Sequence, residues 1–167
     1  MAGKGKSITR ILITGASGLL GANLALELAD DYQVIGLVHN HWIETDRFNV
    51  FQGDLCQSNT LERLITSLHP DVIINCAGLT KIDECERKPD LACQLNTLLP
   101  DRLAKLTCDF GIKLLHVSSA TVFDGKRGDY KETDSPNPLS TYARTKWEGE
   151  KSVLSQNPDS LVARVSI

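Results

Sequence analysis

Tyr142 and Lys146 stand four residues apart in the run Thr141-Tyr142-Ala143-Arg144-Thr145-Lys146, and an apolar run upstream of them ends in Ser118-Ser119. On a helix that spacing puts a phenol and an ammonium on one face, one turn apart. A phenol in water holds its proton to pH ~10, so proton exchange near neutrality needs a cation beside it. One ammonium at ~4 Å, with an effective dielectric of ~20, supplies about 4 kcal/mol, which is sufficient. Ser119, Tyr142 and Lys146 therefore form a candidate acid–base set. A Tyr-x-x-x-Lys run is common on solvated helix faces. This one gains weight from its place after a strand, because parallel sheets bind ligands at the carboxyl ends of their strands.

A second constellation lies near the start. Thr14-Gly15-Ala16-Ser17-Gly18-Leu19-Leu20-Gly21 spaces three glycines three apart, between a β-branched run and an amphipathic one. Dinucleotide binding needs this arrangement: a tight turn at Gly15, close backbone approach to a pyrophosphate at Gly18, and close helix-to-sheet packing at Gly21. The free N–H groups and positive end of the following helix then face the phosphates. Gly15, Ser17, Gly18, Leu19, Leu20 and Gly21 are accordingly cofactor candidates. At the end of the second strand, where an acidic residue commonly meets the ribose hydroxyls of NAD, the chain has His39, Asn40 and His41. Without a carboxylate to repel a 2′-phosphate the site leans towards NADP, with NAD as the alternative and Arg47 or Lys81 as candidate phosphate partners. The same three residues also read as a solvated loop.

These groups need a scaffold to converge. The patterning predicts strands at 8–14, 33–38, 49–52, 71–75, 112–118 and 161–167, and helices at 19–29, 59–68, 90–110 and 141–154. Pro100 is expected to bend the third helix, and Gly111 to cap it. Residues 124–140, rich in Gly, Pro, Asp and Ser, read as a long loop of the functional kind. Alternating strands and helices imply an α/β fold, a doubly wound parallel sheet of Rossmann type. The expected organisation is a basic tail over 1–7 followed by one NAD(P)-binding domain over 8–167.

Composition narrows the function classes. With 167 residues, 41% hydrophobic and 23% charged, the chain is ordinary globular material. A net charge of −3 gives no electrostatic reason to bind nucleic acid. Nothing approaches the roughly 20 apolar residues of a membrane span. The five cysteines form no CxxC pair and cannot all pair within one chain, so reduced thiols in a cytoplasmic protein are expected. No metal-ligand cluster is evident. Outer-face helices leave homo-oligomer formation open.

As an ensemble these motifs resemble the extended short-chain dehydrogenase/reductases, and within them the dTDP-4-dehydrorhamnose reductase branch. The resemblance spans essentially the whole chain. It rests on the glycine turn, Gly53-Asp54-Leu55, Pro70 through Gly78, Ile82-Asp83-Glu84-Cys85-Glu86, Ser118-Ser119 followed by Val122-Phe123-Asp124-Gly125, Pro138-Leu139, and Tyr142 through Lys146 with Gly149-Glu150. It implies that Tyr142 protonates a carbonyl oxygen during reduction. Lys146 would bind the nicotinamide ribose and assist the phenol, and Ser119 would hydrogen-bond the substrate oxygen. Asp54 and Leu55 would flank the adenine, and Cys76, Ala77 and Gly78 would line the cofactor. Asn96 matches an asparagine behind such sites, or serves helix packing alone.

The implied activity is NADPH-dependent reduction of a 4-keto nucleotide sugar such as dTDP-4-dehydrorhamnose. Three departures bear on it: Ala120-Thr121 replaces the Asp-Tyr of the reductases, Leu79 stands for an aromatic, and Ala143 for a glycine. Ser-Ser-Ala-Thr-Val is similar to the UDP-glucose 4-epimerases, which keeps an NAD-dependent nucleotide-sugar epimerase or dehydratase as an alternative. A non-catalytic regulator resembling the methionine adenosyltransferase β subunit is another. Family members continue past a sixth strand into a smaller substrate domain, so the resemblance implies that this chain is part of a longer one.

Overall fold

The computed structural model describes residues 8–57 and 59–166, so the basic tail over 1–7 and the last residue of the sixth predicted strand lie outside the described residues. The elements run β1 (Arg10–Thr14), α1 (Leu19–Leu28), β2 (Gln33–Val38), β3 (Asn49–Gln52), α2 (Thr60–Leu68), β4 (Val72–Asn75), α3 (Ile82–Arg87), α4 (Pro89–Cys93), α5 (Leu99–Phe110), β5 (Lys113–Ser119), α6 (Thr141–Gln156) and β6 (Leu161–Val165). All pairings are parallel, in the order β3-β2-β1-β4-β5-β6. The expected α/β doubly wound sheet is what the chain forms. The order reverses between β1 and β4, which opens a crevice at their carboxyl ends.

Strand periodicity sorts the side chains onto two faces. Leu12, Ile35, Leu37, Ile73 and Leu114 pack with Leu61 and Ile65 of α2, Leu99 and Leu103 of α5, and Val153 of α6. On the other face Ile11, Ile13, Val34 and Ile74 meet Ala25 of α1. Each fully buried Leu or Ile contributes roughly 1.5–3 kcal/mol, so these faces hold the sheet. The helix α1 buries only Gly21 and Ala25, and such small residues let it lie close to the strands.

Two features differ from the predicted pattern. The segment 82–87 forms a short helix, α3, where none is expected. The predicted 90–110 helix is three pieces: α4, a π-helical stretch over Gln94–Leu98, and α5 with Pro100 in its first turn. Proline lacks an N–H and its ring crowds the carbonyl four residues back. That carbonyl belongs to Asn96, and the wider π turn accommodates the mismatch. It faces Gly149 of α6, where a Cβ would come within 2.1 Å of the Asn96 oxygen. At Gly149 the two backbones are thus in direct contact. Gly111 ends α5 as expected, with φ +66 and its N–H on the Cys108 and Thr107 carbonyls.

Candidate active site

At the end of β1 the chain turns at Gly15, φ +68, with its Cα against the Cys76–Ala77 backbone of the strand beside it. A Cβ there would meet the Ala77 nitrogen at 2.8 Å, and one on Gly21 would meet the Gly15 oxygen at 2.3 Å. Both glycines are therefore required by packing. Gly18 is exposed and is the N-cap of α1 without a side-chain cap, and the first turn carries no acidic residue. The N–H groups of Leu19, Leu20 and Gly21 precede the first intrahelical bond, Ala22 N–H to the Gly18 oxygen. Uncapped donors and the dipole make this end of α1 receptive to an anion. Ser17 is half-buried beside it.

Ser119 closes β5 and caps a 3-10 turn over Ala120–Val122. Its Oγ accepts from the Thr121 N–H at 3.3 Å and from the Thr121 hydroxyl at 2.9 Å. With its lone pairs taken, the Ser119 hydroxyl is left to donate. The helix α6 starts after the Ser140 cap, whose Oγ accepts the Ala143 N–H at 3.1 Å. Tyr142 is half-buried in the first turn of α6, and Lys146 lies one turn on, 6% exposed.

The Lys146 Nζ donates to the Val117 carbonyl at 2.7 Å, two residues before Ser119. Burial lowers its pKa to about 8, against the opposing pull of Glu150 and Cys76. Burial raises the Cys76 thiol to about 11, with Lys146 drawing it back. Lys146 therefore lies between the ends of β5 and β4. No hydrogen bond among the described residues joins the Tyr142 hydroxyl to Ser119 or Lys146; such contacts often tighten only around bound reactants. Lys146 retains two N–H donors for a ligand.

Behind these groups runs a buried polar layer that the sequence reading anticipated only at Asn96. The Thr14 hydroxyl donates to Asn75 Oδ1 at 2.6 Å and accepts the Ala77 N–H at 3.2 Å, while Asn75 Nδ2 lies 3.0 Å from His116 Nδ1. Burial, followed by the Lys146 charge, holds His116 well below its ordinary pKa, so the ring is neutral. Asn96 clamps the chain after β4: its Oδ1 accepts the Leu79 N–H at 2.8 Å, and its Nδ2 donates to the Leu79 carbonyl at 3.0 Å and to Thr145 of α6 at 3.2 Å. Glu150, 2% exposed, accepts from Ser118 and from Arg164 of β6, the latter at 2.7 Å. Nothing local announced Asn75, His116 or the pairing of Glu150 with Arg164.

The remaining candidates are spread around the crevice. His39 and Asn40 are exposed just past β2, and Gln52 Nε2 donates to the His39 carbonyl at 2.7 Å. Arg47 is paired with Asp30. Asp54 Oδ1 accepts the Cys56 N–H at 2.9 Å, and Leu55, 8% exposed, sits in the core, leaving Asp54 the more accessible of the two. Cys76 and Ala77 are half-buried and Gly78 is exposed beside the glycine turn. A groove of about 1230 Å³ runs between the 3-10 turn, α6 and β6, walled by Thr121, Phe123, Leu139, Ala143, Trp147 and Arg164. The five cysteines are free, no metal-ligand group occurs among the described residues, and no described helix is long and apolar enough to cross a membrane.

Comparison with known proteins sets this geometry in context. Methionine adenosyltransferase 2 subunit beta of Bos taurus is 38% identical over 159 residues, covering 95% of this chain and 46% of its own length. The dTDP-4-dehydrorhamnose reductase of Aggregatibacter actinomycetemcomitans is 38% identical over 162 residues, covering 95% and 51%. Among solved structures, dTDP-4-dehydrorhamnose reductase from Bacillus anthracis in complex with NADP superimposes with a TM-score of 0.83 at 28% identity, over 96% of this chain and 54% of the other. The chain spans about half the length of the curated relatives it matches. The family model described as RmlD substrate binding domain matches residues 9–167, and the chain belongs to that family.

Proposed function

We propose that this chain is the NAD(P)-binding domain of an NADPH-dependent reductase acting on a 4-keto nucleotide sugar such as dTDP-4-dehydrorhamnose. The observation that carries the reading is the buried Lys146, one helical turn from Tyr142, bonded beside Ser119 and near Cys76 at the end of β4. The site fits a dinucleotide: a side chain at Gly15 or Gly21 would overlap backbone, and the first turn of α1 is uncapped. A solved relative that binds NADP supports the cofactor class.

In this reading the N–H groups of Leu19, Leu20 and Gly21 hold the pyrophosphate, Asp54 and Leu55 flank the adenine, and Cys76, Ala77 and Gly78 lie along the cofactor. The absence of a carboxylate at His39 to His41 favours NADP. Arg47 is exposed and its pairing with Asp30 is of the weak surface kind, so it is free to turn to a 2′-phosphate. The bound nicotinamide supplies hydride to the carbonyl carbon. Ser119 donates a hydrogen bond to the carbonyl oxygen, Tyr142 gives that oxygen its proton, and Lys146 holds the ribose hydroxyls while its charge offsets that of the resulting phenolate.

A panel of nucleotide sugars incubated with full-length protein, with NADPH absorbance followed, tests the proposal. Net NADPH oxidation with a 4-keto sugar is expected. Sugar isomerisation without net cofactor change would select the epimerase alternative. A second reading, a non-catalytic subunit, has the likeness to the bovine β subunit in its favour, and NADPH binding without turnover of any sugar would select it.

A further inference from the structure

The motif Ile82-Asp83-Glu84-Cys85-Glu86 has no part in the scheme above, yet its last residue reaches the helix that carries Tyr142. Glu86 Oε1 accepts the Thr141 N–H at 2.6 Å and its Oε2 accepts the Thr141 hydroxyl at 2.7 Å, across 55 residues of chain. Thr141 is the first residue of α6, directly before Tyr142, and is 8% exposed. The Arg144 guanidinium donates to the same hydroxyl at 2.8 Å. A helix start is stabilised by acidic groups, but α6 has none in its own first turn. Glu86 supplies that charge from another element. Hydrogen bonds from Thr141, with Arg144 nearby, hold its carboxyl below the ordinary value, so it is ionised at neutral pH.

The other end of the contact is equally fixed. Cys85, fully buried, donates its thiol to the Leu79 carbonyl at 3.4 Å. Leu79 is the residue that Asn96 clamps through both its N–H and its carbonyl. Leu79 directly follows Cys76, Ala77 and Gly78. The short helix α3 therefore bridges the segment after β4 and the first turn of α6.

We infer that Glu86 is a positioning residue: through Thr141 it fixes the first turn of α6, and with it Tyr142, relative to the segment proposed to line the cofactor. This inference rests on the reading of Tyr142 as proton donor. A displacement of about 1 Å from a change away from the chemistry can cost on the order of 100-fold in rate.

The test compares wild type, Glu86→Ala and Glu86→Gln in the full-length protein. Turnover is measured with NADPH and dTDP-4-dehydrorhamnose, and amide hydrogen exchange is followed over residues 141–146 and over the strands. Glu86→Ala is expected to lower kcat about 10-fold to 100-fold, with the KM for NADPH within about twofold. Exchange at Thr141 should quicken while the strands keep their protection. Glu86→Gln, which keeps one carbonyl oxygen for the Thr141 N–H, should recover part of kcat. Unchanged kcat in Glu86→Ala overturns the inference, as does a fall in kcat accompanied by equal loss of cofactor binding and strand protection. If wild type turns over no sugar, the functional reading fails. Glu86 is then judged on exchange alone: selective quickening at 141–146 supports the positioning role, and unchanged exchange overturns it.

Discussion

Up to the end of α2 the described chain buries one polar side chain, Thr14, whereas from β4 onward it buries Asn75, Asn96, His116, Ser118, Ser119, Thr145, Lys146 and Glu150 among others. Both regions border the same crevice. The first offers a ligand backbone groups: a turn at Gly15, an uncapped helix start at Gly18, and an approach that Cβ atoms would block. The second offers side chains, most of them held by hydrogen bonds to neighbouring elements. Backbone N–H groups suit a constant feature such as a pyrophosphate. Side chains with fixed donors and a lowered lysine pKa suit a reaction in which charge moves. In the proposed reading pyrophosphate binding and chemistry fall on opposite sides of the sheet's reversal point, and substitutions should separate them.

The sharpest separation is expected from Tyr142→Phe in the full-length protein. Turnover should fall by ~10² to 10⁴, the usual contribution of general acid catalysis, while calorimetric titration finds NADPH affinity nearly intact. Equal loss of both would break the comparison. Arg164→Ala tests whether the polar layer is structurally exacting. It leaves the carboxylate of Glu150 buried without its cation, which typically costs about 3–5 kcal/mol, readable by urea unfolding. The double change Glu150→Leu with Arg164→Met should recover most of that loss.

On the other side, Gly18→Val should do the reverse of Tyr142→Phe. A Cβ at Gly18 lies 3.3 Å from the Gly15 oxygen, a contact that small shifts relieve, so the melting temperature should change little. NADPH affinity should weaken about tenfold or more, equivalent to roughly 1.4 kcal/mol. The smallest effect concerns pH. Burial lowers the Lys146 pKa to about 8 in the folded chain from the ordinary 10.5. Below pH 8 both states are protonated and the folded one bears the cost of a buried ammonium. Between pH 8 and 10.5 the unfolded state binds more protons, so this group makes stability rise with pH. In urea titrations at pH 7 and pH 9.5, Lys146→Met should lack that rise relative to wild type and be no less stable at pH 7.

The glycine turn was legible because a left-handed turn and close backbone contact leave few residue types acceptable: Gly15 meets both demands and Gly21 the second. The parallel doubly wound sheet followed from alternation, and Tyr142 with Lys146 from helical spacing. Asn96 apart, the polar layer was not legible. Thr14, Asn75 and His116 are far apart in sequence and meet only once β1, β4 and β5 are side by side. The π stretch before Pro100 was hidden for a related reason, since a bend was foreseeable but the helix facing the Asn96 carbonyl was not. Likewise α3 is too short to show a period, and what holds it is Cys85 in the core and Glu86 on α6.

Direct transfer of hydride is the central claim, and one labelling measurement addresses it. Full-length protein is incubated with dTDP-4-dehydrorhamnose and NADPH carrying deuterium at the transferable position of the nicotinamide, and the sugar product is analysed by mass spectrometry and NMR. One deuterium at the former carbonyl carbon and one NADP formed for each sugar reduced are expected. Product without deuterium, or formed with no net NADP, would contradict direct transfer.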